Sequence, residues 1–108
     1  MGYEFTLVLD RQPSDDDLDA LFNAGCVDAI FETLDGASVG HFVRRAQSLT
    51  AAISSAVHDV EKGGLHTLEV RRDEIGEPRL QAEYAREIAA ANMMVQTRAF
   101  LAAQRSGA

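Results

Sequence analysis

Residues 48–64 constrain the fold more than any other stretch. Ser48 precedes Leu49, Ala52, Ile53, Ala56, Val57 and Val60, and Gly63-Gly64 follow. Steps of three and four put those six apolar side chains on one helix face. A serine before the first turn supplies an N-cap, and the glycine pair supplies a stop. The small residues at 51, 52 and 56 let such a helix lie close to a sheet. GHFVRR ahead of it reads as the end of a strand. Leu65–Val70 behind it reads as another, with His66, Leu68 and Val70 expected on one face.

The same rules extend toward the N-terminus. Tyr3–Asp10 is a strand in which Phe5, Leu7 and Leu9 share a face. Gln12-Pro13 breaks it. Ser14 caps a helix, Asp17 stands at its third position to bond back, and Asp15 and Asp16 suit the positive helix end. Leu18, Leu21 and Phe22 are the expected buried stripe, and Gly25 the stop. Asp35-Gly36 then separates two apolar runs, a strong hairpin signal because both residue types accept positive φ. Strands are expected over 28–34 and 38–45, with Gly40 allowing a bulge or close packing of a helix.

The order is strand, helix, strand, strand, helix, strand. Two right-handed crossovers around a central hairpin predict an α+β, ferredoxin-like βαββαβ sandwich. Both helices cover one sheet face, leaving Thr6, Val8, Glu32 and Thr67 as candidates for the other. IGEPRL is a connector. Residues 79–105 contain no Gly or Pro and read as a long helix, or as two broken near Asn92. The expected division is a sandwich over 1–75 and a helical extension over 76–108. Leu80, Tyr84, Ile88, Ala91 and Val95 make one stripe of that extension, and Met93, Met94, Phe100 and Leu101 widen it. Apolar residues on more than one side suggest a homodimer formed through Tyr84, Ile88, Met94, Val95, Phe100 and Leu101.

Charge divides the chain. Residues 1–40 hold nine acids and one base, against eight acids and nine bases in 41–108. The first part repels phosphate, and its first helix offers Asp15, Asp16 and Asp19 to a basic protein partner. Arginines at 44, 45, 71 and 72 sit at strand ends. Arg86, Arg98 and Arg105 are the candidate nucleic-acid contacts of the tail. The aromatic pattern of an RNA-binding sheet is missing. Cys26 is the single cysteine, so no intrachain disulfide forms. No run of about 18 apolar residues or basic leader is present, and the expected compartment is the cytoplasm.

No catalytic constellation emerges. His41, His58, His66 and Cys26 lack the spacing of a zinc site, and the aspartate cluster lacks that of a calcium loop. Ser54, Ser55 and Cys26 sit in no nucleophile motif. Glu32 and Asp35 have no identifiable acid beside them. GASVG lacks the lysine of a phosphate loop. His41 and His66, both expected on strands, are candidate neighbours across the sheet. Neither a cofactor nor a metal is expected.

DLDALFNAGCVDAIFE, FVRRAQSLTAAISSAVHDVEKGGL and the strand after them resemble the N-terminal half of a family of small bacterial proteins. That family joins a ferredoxin-like domain to a C-terminal helix-turn-helix. The likeness covers roughly residues 3–71 and rests on Leu18, Gly25, Asp28, Phe42, Ala46, Ser48, Leu49, Ala52, Ile53, Ser55, Ala56, Val60 and Gly64. It implies DNA-linked regulation. The tail departs from the pattern: only REIAAANMMVQTRAFL echoes it, with Asn92-Met93 as the turn and Gln96, Thr97 and Arg98 as recognition positions.

The leading expectation is a non-enzymatic interaction or regulatory protein, such as an acidic inhibitor or adaptor. A DNA-binding regulator is the first alternative. A small-molecule enzyme at the sheet face or a dimer cleft is the second: a closed apolar pocket holding His41 or His66 with a nearby carboxylate favours it, and a solvent-flat sheet counts against it.

Overall fold

A computed structural model describes the backbone of residues 2–72 and 78–106 and the side chains of residues 2–72 and 84–104. The chain is α+β. Its elements are β1 (Gly2–Leu9), α1 (Asp15–Ala24), β2 (Ala29–Leu34), β3 (Ala37–Arg45), α2 (Leu49–Lys62), β4 (Thr67–Arg71) and α3 (Pro78–Ser106). The four strands form one antiparallel sheet in the order β2-β3-β1-β4.

Local chemistry sets most boundaries. The Ser14 hydroxyl accepts from the Asp17 N–H while the Asp17 carboxylate accepts from the Ser14 N–H, a complete capping box. Gly25 closes α1 at φ 124°, where a side chain would be strained. Asp35 and Gly36 both have positive φ and tie β2 to β3. The Ser48 hydroxyl accepts from the Ala51 N–H and starts α2.

All six apolar positions of α2 are buried, together with Phe5, Leu7, Leu9 and Phe42 from the sheet. The Phe5 and Phe42 rings stack at 5.5 Å, and Phe31 meets Phe42 edge-on. Gly40 makes room for this arrangement. A Cβ there would stand 2.8 Å from a Phe31 ring carbon, so the close approach is to an aromatic ring rather than to a helix. The register shift lies elsewhere, between Val8 and Leu9 where β1 meets β4.

That shift corrects the expected pattern of β4. Thr67 and Val70 are the buried positions, and Leu68 is exposed. Thr67 pairs with Leu9 on the core side rather than standing on the open face, and His66 precedes the strand. The stripe of α1 is also narrower than its sequence suggests. Leu21 is buried in the core cluster, but Leu18 and Phe22 are exposed: α1 meets α2 and turns only Leu21 inward.

α3 runs unbroken through Asn92. It packs along β4 and α2. On the sheet face turned away from the core cluster, Val8 and Val39 are buried, and Thr6 and His41 are half-buried. Ala91 and Val95 join the sandwich's own hydrophobic cluster, with Tyr84, Ile88 and Met94 packed against it. The expected connector over 75–77 lies outside the described residues, while residues 78–80 already belong to α3. No helix among the described residues is long and apolar enough to cross a membrane.

Candidate functional site

The outward face of α1 carries the acidic residues singled out from sequence. Asp15, Asp16 and Asp19 are exposed. Asp17 is not available with them: it completes the cap and accepts from Arg11, and those bonds hold its carboxyl far below the usual carboxylate range. Leu18 and Phe22 lie one helical turn apart, as do Asp15 and Asp19. Phe22 is 62 % exposed. An apolar strip therefore runs beside an acidic one.

Of the four arginines at strand ends, Arg44, Arg71 and Arg72 are each engaged by other residues of the chain. Arg44 is only 7 % exposed and spends all five N–H groups inside the protein. It is bidentate to Asp28 at 2.8 and 2.9 Å. It also donates to Asp59 at 2.9 Å, to the Ser55 hydroxyl and to the Gly25 carbonyl. The Phe42 ring lies 5.3 Å from its guanidinium carbon. The Asp28 carboxylate is the main cause of its raised pKa. Arg71 donates to Glu69, and Arg72 lies 4.1 Å over the Tyr84 ring. Of the tail's candidates, Arg86 is exposed, and Arg98 is doubly hydrogen-bonded to Glu61. The Arg105 side chain lies outside the described residues. Arg86 and Arg98 are separated by about 120° around an ideal helix.

The six residues expected at a subunit contact divide into two groups. Val95 is buried in the core, and Tyr84, Ile88 and Met94 pack against it. Phe100 and Leu101 are exposed, as is Met93. Met93, Gln96, Thr97 and Phe100 line a shallow groove of about 290 Å³ on the outer side of α3.

His41 and His66 are not neighbours. The backbone N–H of His66 donates to Asp10, and its side chain helps line an open hollow of about 510 Å³ with Glu61, Arg98, Leu101 and Ala102. Arg98 lowers the Glu61 pKa chiefly by hydrogen bonding. His41 stands on the open sheet face. Its Nε2 lies 2.8 Å from Glu32 Oε1, and its Nδ1 lies 2.8 Å from Thr6 Oγ1. The two-residue turn had already set this register: pairing Leu34 with Ala37 pairs Ile30 with His41 and leaves Glu32 on the diagonal. Thr6 comes from β1 as the direct partner of His41, a long-range pairing that the hairpin does not specify.

Cys26 is buried behind α1. Burial first, and the Asp59 charge second, push its thiol up to about 11, so it is a packing residue. Among the described residues, no group of three or more His, Cys, Asp or Glu is placed to hold a metal ion. No protein-family model, curated protein or solved structure matches this chain.

Proposed function

We propose that this chain is an interaction protein that docks a basic protein partner on the outward face of α1, as an acidic inhibitor or adaptor does. The observation that carries this reading is the pairing of exposed Leu18 and Phe22 with Asp15, Asp16 and Asp19. α1 rests on α2 through Leu21 and leaves this strip without an intramolecular partner among the described residues. Apolar area supplies affinity, and complementary charge supplies orientation and encounter rate. An amphipathic basic segment has the matching surface.

The strand order β2-β3-β1-β4, with helices after β1 and β3, supports a ferredoxin-like scaffold behind that face. Exposed Met93, Phe100 and Leu101 support pairing of α3 with a second copy. DNA binding ranks lower, because the Arg98 guanidinium is occupied by Glu61.

The test is capture from native cells with three baits: the unaltered chain, Phe22→Glu, and a triple Asp15→Lys, Asp16→Lys, Asp19→Lys variant. A basic protein retained by the first and lost from the other two, then reconstituted with the purified partner, supports the reading. Equal retention by all three rejects the surface. Sedimentation of Phe100→Glu against the unaltered chain tests the second-copy contact.

A further inference from the structure

Four polar side chains cross the open sheet face, one from each strand. They are Glu32 from β2, His41 from β3, Thr6 from β1 and Arg71 from β4. Thr6 is the register partner of both His41 and Arg71. An ionised Glu32 can only accept, so the proton at 2.8 Å belongs to His41 Nε2. That tautomer leaves Nδ1 to accept the Thr6 hydroxyl, also at 2.8 Å. A carboxylate orients an imidazole, and the imidazole holds a hydroxyl proton. This is the connectivity of an activated nucleophile. Arg71 uses its Nε on Glu69 and carries further N–H groups beside Thr6 in the register. Ile30, directly opposite His41, is 70 % exposed, and Val43 is exposed on the same face.

We propose that this face accepts an acyl group: Thr6 attacks a small activated ester, His41 is its base, Glu32 positions His41, and Arg71 faces the developing oxyanion. Thr6 Oγ1 bonds to the carbonyl carbon as its proton passes to His41 Nδ1. The bond from that carbon to the leaving oxygen breaks, and His41 returns the proton to the departing alkoxide or phenolate. The product is an O-acyl threonine. Water then attacks the same carbon with His41 again as base, releasing the carboxylic acid and restoring Thr6. Ile30 and Val43 offer contact area to a short aliphatic acyl chain. The face lies on the far side of the sheet from the core and the helices, so this site and the α1 docking surface fail independently.

The probes are p-nitrophenyl acetate and p-nitrophenyl butyrate with the full chain, followed by p-nitrophenolate release and peptide mass spectrometry. The expected result is saturable release with one acyl group on Thr6. Thr6→Val, nearly isosteric and suited to a strand, removes both, while Thr6→Ser retains them. His41→Gln lowers the rate at least tenfold. Glu32→Gln lowers kcat with KM unchanged. Unchanged circular dichroism and unfolding midpoints exclude loss of fold as the cause. Undiminished release from Thr6→Val shows that imidazole acts alone and overturns the proposal. Acylation confined to Lys62, the single lysine, or to the N-terminal amine overturns it as well.

Discussion

The Asn92 side chain occupies both backbone groups of Val70. Its Oδ1 accepts the Val70 N–H at 2.8 Å, and its Nδ2 donates to the Val70 carbonyl at 2.9 Å. β4 is an edge strand, and these groups point away from β1. A side-chain amide in mid-helix thus supplies the donor and acceptor that a fifth strand would have supplied. It blunts an edge otherwise open to another chain. It also fixes the position of α3 along the sheet, bringing Ala91 and Val95 into the core.

Asn92→Ala leaves the Val70 N–H and carbonyl without those partners in a buried residue. The expected loss is about 2 kcal/mol in urea unfolding, because stranded buried backbone groups cost more than one hydrogen bond contributes. Hydrogen exchange at the Val70 amide should accelerate in the same variant. Native-like protection at that amide would refute this role.

Arg44 holds Asp28 and Asp59 together, two carboxylates that repel each other without it. Arg44→Met keeps an unbranched apolar stem and removes the guanidinium with its charge. It should lower stability by about 3 kcal/mol. Arg44→Lys should recover only a fraction, since an ammonium group cannot reproduce the bidentate bond to Asp28. Equal midpoints for Arg44→Lys and the unaltered chain in guanidinium titrations would show that the fork geometry is immaterial.

Gly40 receives the Phe31 ring, and a Cβ would also stand 3.2 Å from a Phe42 ring carbon. Gly40→Ala should cost about 1–3 kcal/mol by displacing an edge-on aromatic contact, although alanine is no worse than glycine in a strand. The Phe31 ring resonances should move in the proton spectrum. A stabilised variant with unmoved resonances would contradict the steric argument.

The pair between Glu61 and Arg98 joins α2 to α3. Glu61 has its pKa lowered from 4.5, chiefly by the Arg98 hydrogen bond. A lowered carboxyl pKa contributes stability that is present above about pH 4.5 and lost as the pH falls through the folded value. The stability difference between the unaltered chain and Glu61→Gln should therefore be largest above pH 5 and shrink toward pH 3. Partial exposure limits it to about 1 kcal/mol. A difference independent of pH would mean that the pair contributes through packing instead.

Cys26 should resist a disulfide reagent in the folded protein. With the thiol buried and pushed up to about 11, labelling at pH 8 should be roughly a hundredfold slower than after unfolding. Equal rates would place the thiol at the surface.

The sequence by itself determined the elements whose causes are local. Ser14 with Asp17, Asp35-Gly36 and the six apolar positions of α2 act within a few residues of themselves. Spacing and turn chemistry therefore specified the helix starts, the hairpin register and the buried face of α2. The tertiary structure decided whatever depended on pairing between distant segments. A shift between Val8 and Leu9 turned Thr67 inward and Leu68 outward. Leu18 and Phe22 lost their expected burial because α1 turns only Leu21 into the core. Asn92, a candidate break by composition, became the partner of an edge strand. Thr6 met His41 across 35 positions of sequence. Periodicity assigns a residue to a face of its own element. What that face meets depends on how the elements are brought together, and there the candidate sites of this protein are made.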